Sequence, residues 1–352
     1  MLQRCGWSVI STHWGASLPL TSDITCNSNP GGAADTGAAF YTMRFLPQIS
    51  AMKPSRSEFL SIRKLRYHVR HWGDPAAPKL FMMHGWMDVS ASFQFVVDHL
   101  QQDWHVIAPD WRGFGLTERA LADTYWHPDY LADLDALLQH YAPDEAVNLI
   151  GHSMGGNIVG LYAGVRPHRV AKLINLEGFG LPSTKPEQAP GRLATWLDEL
   201  QLAAPLRTYD SLAAVAARLQ KTNPRLNNER AAFLAPHWAR QLDDGVWEVL
   251  GDPAHKNVNP ILYRVDEVTA CWQQIAAPVL WVEAAHTDIW RWFGLNALLR
   301  EEIDRRITYL RDVRVEIIPD AGHMLHHDQP ALLAAAIEGF LNEQERLFSV
   351  TP

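Results

Sequence analysis

The chain has 352 residues, enough for one large α/β domain with an insertion or for two smaller domains. Its content of 47% hydrophobic and 20% charged residues is that of an ordinary soluble globular protein, and its formal net charge of −8 argues against nucleic acid as the main partner. Three scattered cysteines exclude a disulfide framework or cysteine metal site, and no apolar run approaches the ~18 residues of a membrane helix.

The N-terminal segment, residues 1–51, differs from the rest of the chain. Residues 21–40 are rich in Gly, Ala, Ser, Thr and Asn without hydrophobic periodicity, which predicts disorder. A secretory signal is not expected, because Arg4 is the only Lys or Arg before this stretch. We therefore expect a cytoplasmic protein in which this segment is a disordered or non-native extension and the functional chain begins near Met43 or Met52.

From about residue 60 the sequence predicts strands that alternate with helices. We predict strands at 66–72, 79–83, 104–108, 146–150 and 170–176, and helices at 92–101, 128–140 and 158–165. Several of these strands are short and wholly apolar, which is typical of strands buried on both faces. The expected fold is an α/β fold with a mostly parallel central sheet and helices on both faces.

The alternation stops after residue 181, and residues 182–274 show only helical patterns, clearest over 193–202 and 212–219. It resumes with a strand at 279–283, a helix at 296–310, a strand at 313–319 and a helix at 330–347. We therefore predict one core built from residues 60–181 and 275–347, with residues 182–274 as a helical cap insertion.

Residues 151–155 read Gly-His-Ser-Met-Gly between an apolar run and a helical segment. In this G-x-S-x-G pattern a strand enters a tight turn with a strained central residue, and the glycines leave room for the crossing backbone. The turn presents Ser153 at the start of a helix, where backbone N–H groups point outward. The pattern alone is common by chance, but its strand–turn–helix context predicts a nucleophile.

A serine hydroxyl needs a base to remove its proton, and His323 is our candidate. It follows the last predicted strand on a loop, and reactive groups gather at the carboxyl ends of strands in an open parallel sheet. His326 and His327 compete for this role, but they lie closer to the final helix, and we interpret them as surface residues or neighbours of the site.

The histidine in turn needs a carboxylate that holds its tautomer and offsets the imidazolium charge. Glu177 directly ends the strand at 170–176, and Asp288 follows the strand at 279–283 after a short loop. Both residues satisfy the order serine, acid, histidine. We favour Asp288 slightly, but spacing alone does not decide between them.

An oxyanion hole requires two backbone N–H donors. One is expected from Met154, the residue after the nucleophile, and the other from Trp86, which follows His84 and Gly85 after a predicted strand. We expect His84 to fix this loop through hydrogen bonds.

With these residues the chain resembles the α/β-hydrolase fold family over about residues 60–347. The matching motifs are His84-Gly85-Trp86, Asp110-Trp111-Arg112-Gly113-Phe114-Gly115, Gly151 to Gly155 and Ala321-Gly322-His323. The sequence looks closest to capped serine hydrolases related to haloalkane dehalogenases and epoxide hydrolases. Those two activities use aspartate where this chain has Ser153, so the resemblance implies acyl transfer to water.

The resemblance also bears on the acid. In the family the acid usually follows the seventh strand, which matches Asp288, while some dehalogenase-like members place a Glu after the sixth strand, which matches Glu177. The motif after the fourth strand often ends in serine where this chain has Thr117.

We therefore predict a serine esterase that cleaves a small-molecule carboxylic ester with a hydrophobic group, as a monomer or homodimer, without metal or organic cofactor. Candidate substrate contacts are Trp86, His152, Trp196 and Trp238, although the tryptophans equally suit packing of the insertion onto the sheet. The alternatives are a C–C bond hydrolase or acyltransferase with the same triad, and a binding protein without catalysis.

Deleting residues 1–51 tests the interpretation of the N-terminal segment. We expect the shortened protein to fold and to keep its activity, because no predicted strand, helix or site residue is removed. Thermal unfolding and hydrolysis rates of the two lengths give the comparison, and loss of either folding or activity would refute the interpretation.

Overall fold

The computed structural model describes residues 52–202, 205–289 and 298–343. The predicted N-terminal extension lies outside these residues, as do the first two residues of the helix predicted at 296–310 and the last four of the helix predicted at 330–347. Within the described part of the chain, no helix has both the length and the apolar character needed to cross a bilayer.

The described strands form two sheets. They are β1 (Ser55–Ile62), β2 (Leu65–Trp72), β3 (Lys79–Met83), β4 (His105–Pro109), β5 (Val147–His152), β6 (Val170–Leu176), β7 (Thr208–Tyr209), β8 (Ala239–Gln241), β9 (Trp247–Val249), β10 (Val279–Ala284) and β11 (Val313–Ile318). The large sheet has the order β1-β2-β4-β3-β5-β6-β10-β11. Pairing is antiparallel from β1 to β4 and parallel from β4 to β11.

Helices connect these strands. The described α-helices are α1 (Gln94–Val97), α2 (His127–Tyr141), α3 (Met154–Val165), α4 (Ala189–Gln201), α5 (Leu212–Thr222), α6 (Asn228–Trp238), α7 (Val265–Trp272), α8 (Leu298–Ile307), α9 (Leu325–Asp328) and α10 (Pro330–Asn342). The helix predicted at 92–101 is instead a 3-10 turn followed by the short α1.

The large sheet buries a hydrophobic cluster on each face. On β3, Phe81 and Met83 belong to one cluster, together with side chains of α2, α3 and α7. Leu80 and Met82 belong to the other, with side chains of α1 and α10. Alternate residues of a strand point to opposite faces, so a wholly apolar strand requires helices on both sides. The predicted α/β class with a mostly parallel, two-sided sheet is confirmed.

Sequence patterns missed the least apolar strands. β1 is an edge strand with mostly exposed residues, so it lacks a clear hydrophobic alternation. Residues 182–274 contain α4 to α7 but also the small antiparallel sheet β7-β9-β8, where only helices were predicted. Strands of two or three residues are too short to show a period of two.

The segment after β9 is attached to the loop that follows β4. The His255 ring stacks between Phe114 and Tyr125, with ring centroids 3.7 and 3.8 Å away. The Tyr125 hydroxyl donates to Asp252 Oδ2 at 2.9 Å, and the Asp252 N–H donates to the Gly113 carbonyl at 2.8 Å. Burial lowers the pKa of His255 from 6.5 to about 3.

This buried imidazole makes the attachment sensitive to acid. The unfolded chain binds the proton of His255 near pH 6.5 and the folded chain only near about pH 3. Stability from this residue is therefore fully present above pH 6.5 and is lost as the pH falls toward 3, by at most about 1.4 kcal/mol per pH unit.

We expect His255→Phe, which keeps the aromatic stack, to reduce the loss of unfolding free energy between pH 6.5 and 4. Urea unfolding at several pH values measures this slope. The control is His168→Phe at an exposed position, which should keep the wild-type slope because the imidazole contacts water in both states. An unchanged slope in His255→Phe would contradict the assignment of this acid sensitivity to His255.

Candidate active site

The turn between β5 and α3 holds Ser153 in a strained conformation. Its φ of 52° and ψ of −114° are unfavourable for a residue with a side chain. The Ser153 N–H donates to the Leu176 carbonyl at 2.8 Å, and the Ser153 carbonyl accepts from the Asn157 N–H at 3.0 Å. Hydrogen bonds to β6 and to α3 thus hold Ser153 in this strained conformation.

Glycines make this turn possible because the backbones around it lie very close together. A Cβ atom on Gly155 would lie 2.2 Å from the Met83 carbonyl oxygen, and one on Gly151 would lie 2.4 Å from the Gly155 backbone. Neither gap admits a side chain. The sequence reasoning for G-x-S-x-G thus has a direct steric basis here.

The structure brings Ser153 and His323 together from positions 170 residues apart. His323 Nε2 lies 3.0 Å from Ser153 Oγ, and His323 Nδ1 lies 3.1 Å from Glu177 Oε2. With the Nδ1–H donated to the carboxylate, Nε2 carries the lone pair, which allows it to accept a hydrogen bond from the Ser153 hydroxyl. The three groups form one continuous hydrogen-bonded chain.

Glu177 is held by several donors at the end of β6. Its Oε1 accepts from the Ala284 N–H at 2.7 Å, and its Oε2 also accepts from the Thr287 hydroxyl. Burial raises the pKa of Glu177 above its ordinary value, although the hydrogen bonds from His323, Thr287 and Ala284 act in the opposite direction. These donors orient the carboxylate toward the imidazole.

The slight preference for Asp288 over Glu177 was wrong as a statement of which carboxylate adjoins His323. Glu177 directly follows β6, which is the neighbour of β5 in the sheet. Asp288 lies four residues beyond the end of β10, which is one strand farther from Ser153. The 3.1 Å contact between His323 Nδ1 and Glu177 Oε2 identifies the adjoining carboxylate, and spacing along the chain does not carry that information.

The loop that bears His323 is fixed from two sides. His152 Nε2 donates to the His323 carbonyl at 2.8 Å, and the Gly322 N–H donates to Asp328 Oδ2 at 2.8 Å. Asp328 Oδ1 accepts from the side-chain amide of Asn223, in the segment 182–274, at 2.8 Å. The predicted site residue His152 therefore supports the His323 loop, a role that sequence reasoning did not find.

The turn after β3 lies beside Ser153. His84 Nδ1 donates to the Gly85 carbonyl at 2.7 Å, and His84 Nε2 accepts from the Trp111 N–H at 2.8 Å, which confirms that His84 fixes this loop. A Cβ on Gly85 would lie 3.2 Å from Ser153 Cβ.

The two expected oxyanion-hole residues each follow one residue of this contact in the chain. Trp86 directly follows Gly85 and is 44% exposed. Met154 is the first residue of α3, where a helix offers its N–H no internal acceptor.

Trp196 and Trp238 lie within the segment 182–274. Trp238 packs in a cluster with Val215, Ala235 and Trp247, so core packing accounts for this side chain. Trp196 lies half-buried on α4, a helix without fully buried residues. Substrate binding by Trp196 and Trp238 stays a prediction.

The interpretation of His326 and His327 as surface residues was wrong. They are 0% and 3% exposed, and the His326 ring centroid lies 4.3 Å from that of His152. The alternative interpretation, as neighbours of the site, fits this position. Burial lowers the pKa of His152 and of His327 well below the ordinary histidine value.

Comparisons with known proteins agree with this architecture. A serine hydrolase-like protein of Danio rerio is 27% identical over 87% of this chain and 94% of its own length. A 3-hydroxybutyrate-oligomer hydrolase of Cupriavidus necator is 29% identical over 79% of this chain and 93% of its own length. The solved thioesterase domain from the curacin biosynthetic pathway superimposes with a TM-score of 0.72 at 25% identity, covering 81% of this chain and 99% of that domain.

A family model described as "alpha/beta hydrolase fold" matches residues 78–330, which is more than half of the chain. The match spans every strand from β3 to β11 and both residues of the Ser153–His323 pair. The chain belongs to the α/β-hydrolase fold family.

Proposed function

We propose that this protein is a serine hydrolase that cleaves a carboxylic ester through Ser153, His323 and Glu177. The observation that carries the proposal is the hydrogen-bonded chain from Ser153 Oγ through the His323 ring to Glu177 Oε2, with steps of 3.0 and 3.1 Å. Nucleophile and base lie within the reach that proton transfer requires.

In the first half-reaction His323 Nε2 accepts the proton of Ser153 while Oγ attacks the ester carbonyl carbon. The negative charge that develops on the carbonyl oxygen is stabilised by the backbone N–H groups of Trp86 and Met154. The tetrahedral intermediate collapses, His323 gives its proton to the departing alkoxide, and an acyl group remains on Ser153.

In the second half-reaction water takes the place of the alcohol. His323 accepts a proton from the water, the resulting nucleophile attacks the acyl carbonyl, and Ser153 leaves with that proton as the free acid is released. In both steps Glu177 keeps the Nδ1–H tautomer of His323 and offsets the imidazolium charge that forms.

An ester substrate with a hydrophobic group is favoured by the setting of the site. Trp86 exposes an apolar ring on the turn beside Ser153. The names of two similar proteins, a 3-hydroxybutyrate-oligomer hydrolase and a thioesterase domain, also describe acyl-bond hydrolysis. Residues 182–274 form the proposed cap, which contributes Asn223 to the support of the His323 loop.

Ser153→Ala tests the nucleophile. We expect kcat on short-chain aryl esters to fall by roughly 10⁴-fold or more, because no other group forms the acyl intermediate. Ser183→Ala, at an exposed serine, serves as the control and should retain wild-type turnover. Thermal unfolding of both variants checks the fold, and undiminished hydrolysis by folded Ser153→Ala would end the proposal.

The pair Glu177→Gln and Asp288→Asn tests the acid. We expect Glu177→Gln to lower kcat by roughly 10³- to 10⁴-fold, because the amide no longer stabilises the Nδ1–H tautomer and the imidazolium. The matched change Asp288→Asn should lower kcat by only a few-fold. The reverse ranking, measured on the same ester with both proteins folded, would assign the role to Asp288.

A further inference from the structure

A buried group of ligand-type side chains lies next to the Ser153–His323 pair. We call Asp88, His152 and His326 the inner cluster; they are 3%, 1% and 0% exposed. One carboxylate oxygen or ring nitrogen from each residue comes within 4.8 Å of the others. The cluster combines Asp88 from the turn after β3, His152 from the end of β5 and His326 from α9.

The facing atoms of the inner cluster lack hydrogen-bond partners among the described residues. They are Asp88 Oδ2, His152 Nδ1 and both ring nitrogens of His326. His326 Nε2 lies 3.4 Å from Asp88 Oδ2, which is close enough for an ion pair but outside hydrogen-bond geometry. Buried polar atoms are normally satisfied, so a group of unpartnered ones from three residues within 4.8 Å of one another indicates a missing partner.

In His152 and Asp88, the atom that points away from the inner cluster already has hydrogen-bond partners. His152 Nε2 donates to the His323 carbonyl, which leaves Nδ1 as the lone pair that faces the cluster. Asp88 Oδ1 accepts from the Val89 N–H at 2.9 Å and from the Ser92 hydroxyl, which leaves Oδ2. A ring N–H bound to a carbonyl and a carboxylate held by its second oxygen are the outer contacts that orient metal ligands in proteins.

We propose that Asp88 Oδ2, His152 Nδ1 and a ring nitrogen of His326 form a three-ligand site for Zn²⁺. Imidazole nitrogen and carboxylate oxygen are zinc ligands, and three of them leave one coordination position open. With bonds of about 2.0–2.1 Å in a tetrahedron, neighbouring ligand atoms lie about 3.4 Å apart, as His326 Nε2 and Asp88 Oδ2 do. Ligand atoms that lie as much as 4.8 Å apart reach this spacing by a movement of about 1.4 Å.

Gly85 packs against both the inner cluster and the nucleophile. A Cβ atom there would lie 3.0 Å from His152 Nδ1 and 3.2 Å from Ser153 Cβ. A side chain at this position would therefore crowd His152 Nδ1, the nitrogen whose lone pair the proposed site uses.

Occupation of the site inhibits hydrolysis, a consequence that rests on the proposed function. His152 immediately precedes Ser153 and donates to the carbonyl of His323. A shift of its ring toward the metal therefore moves the nucleophile turn and the His323 loop together. Displacement of this order in a site tuned for attack costs about 100-fold in rate.

The binding test uses Zn²⁺ alone as the probe and the full chain as the protein. Titration calorimetry compares the wild type with Asp88→Asn, which keeps the Oδ1 hydrogen bonds, and with His326→Gln. We expect each change to weaken the site by at least the roughly 10-fold that loss of an outer contact costs. The matched control is His327→Gln, another buried histidine with unpartnered nitrogens that is outside the ligand set.

Zinc-edge X-ray absorption of the loaded protein should show two imidazole ligands. Wild-type affinity in both Asp88→Asn and His326→Gln, with their folding verified by circular dichroism, would overturn the site, as would weakening in His327→Gln alone. Measuring zinc binding and ester hydrolysis side by side in the wild type separates the two proposals. Zinc binding without esterase activity refutes only the proposed function, whereas esterase activity without zinc binding refutes only the metal site.

Discussion

The strained backbone of Ser153 is the constraint from which the rest of the site follows. Its positive φ is tolerated because neighbouring strands and helices fix the residue on both sides, through the Leu176 carbonyl and the Asn157 N–H. The same bonds place Ser153 beside the end of β6, where Glu177 begins its own positive-φ turn. Nucleophile and carboxylate are therefore positioned by one pair of adjacent parallel strands, and the histidine loop closes onto them.

The local parts of this arrangement could be read from the sequence, since a glycine pattern between a strand and a helix specifies its turn directly. The approach of His323 to Ser153 could be inferred because carboxyl ends of parallel strands share one edge. The choice between Glu177 and Asp288 could not, because both residues follow parallel strands of the sheet and only the positions of the side chains show that Glu177 contacts His323. Pattern reading also missed β1 and the small sheet, where hydrophobic periodicity is weak or too short.

The burial of His326 and His327 also could not be predicted from the sequence. Histidines near a helix start are usually solvated, and only packing of α9 against the elements around Phe93 and Phe95 places them inside. The result is a polar layer beneath the reacting groups, joined to them by the bond from His152 to the His323 carbonyl. A movement of His152 within the inner cluster is thus transmitted to the His323 loop.

The most direct measurement of the central claim is covalent labelling with a fluorophosphonate, followed by mass spectrometry to locate the adduct. The probe reacts with a serine only where a base activates it and an oxyanion hole stabilises the product. The account predicts one adduct on Ser153 that disappears when His323 is replaced by alanine. Absence of labelling in the folded wild type, or an adduct on Ser153 that persists without the histidine, would contradict it.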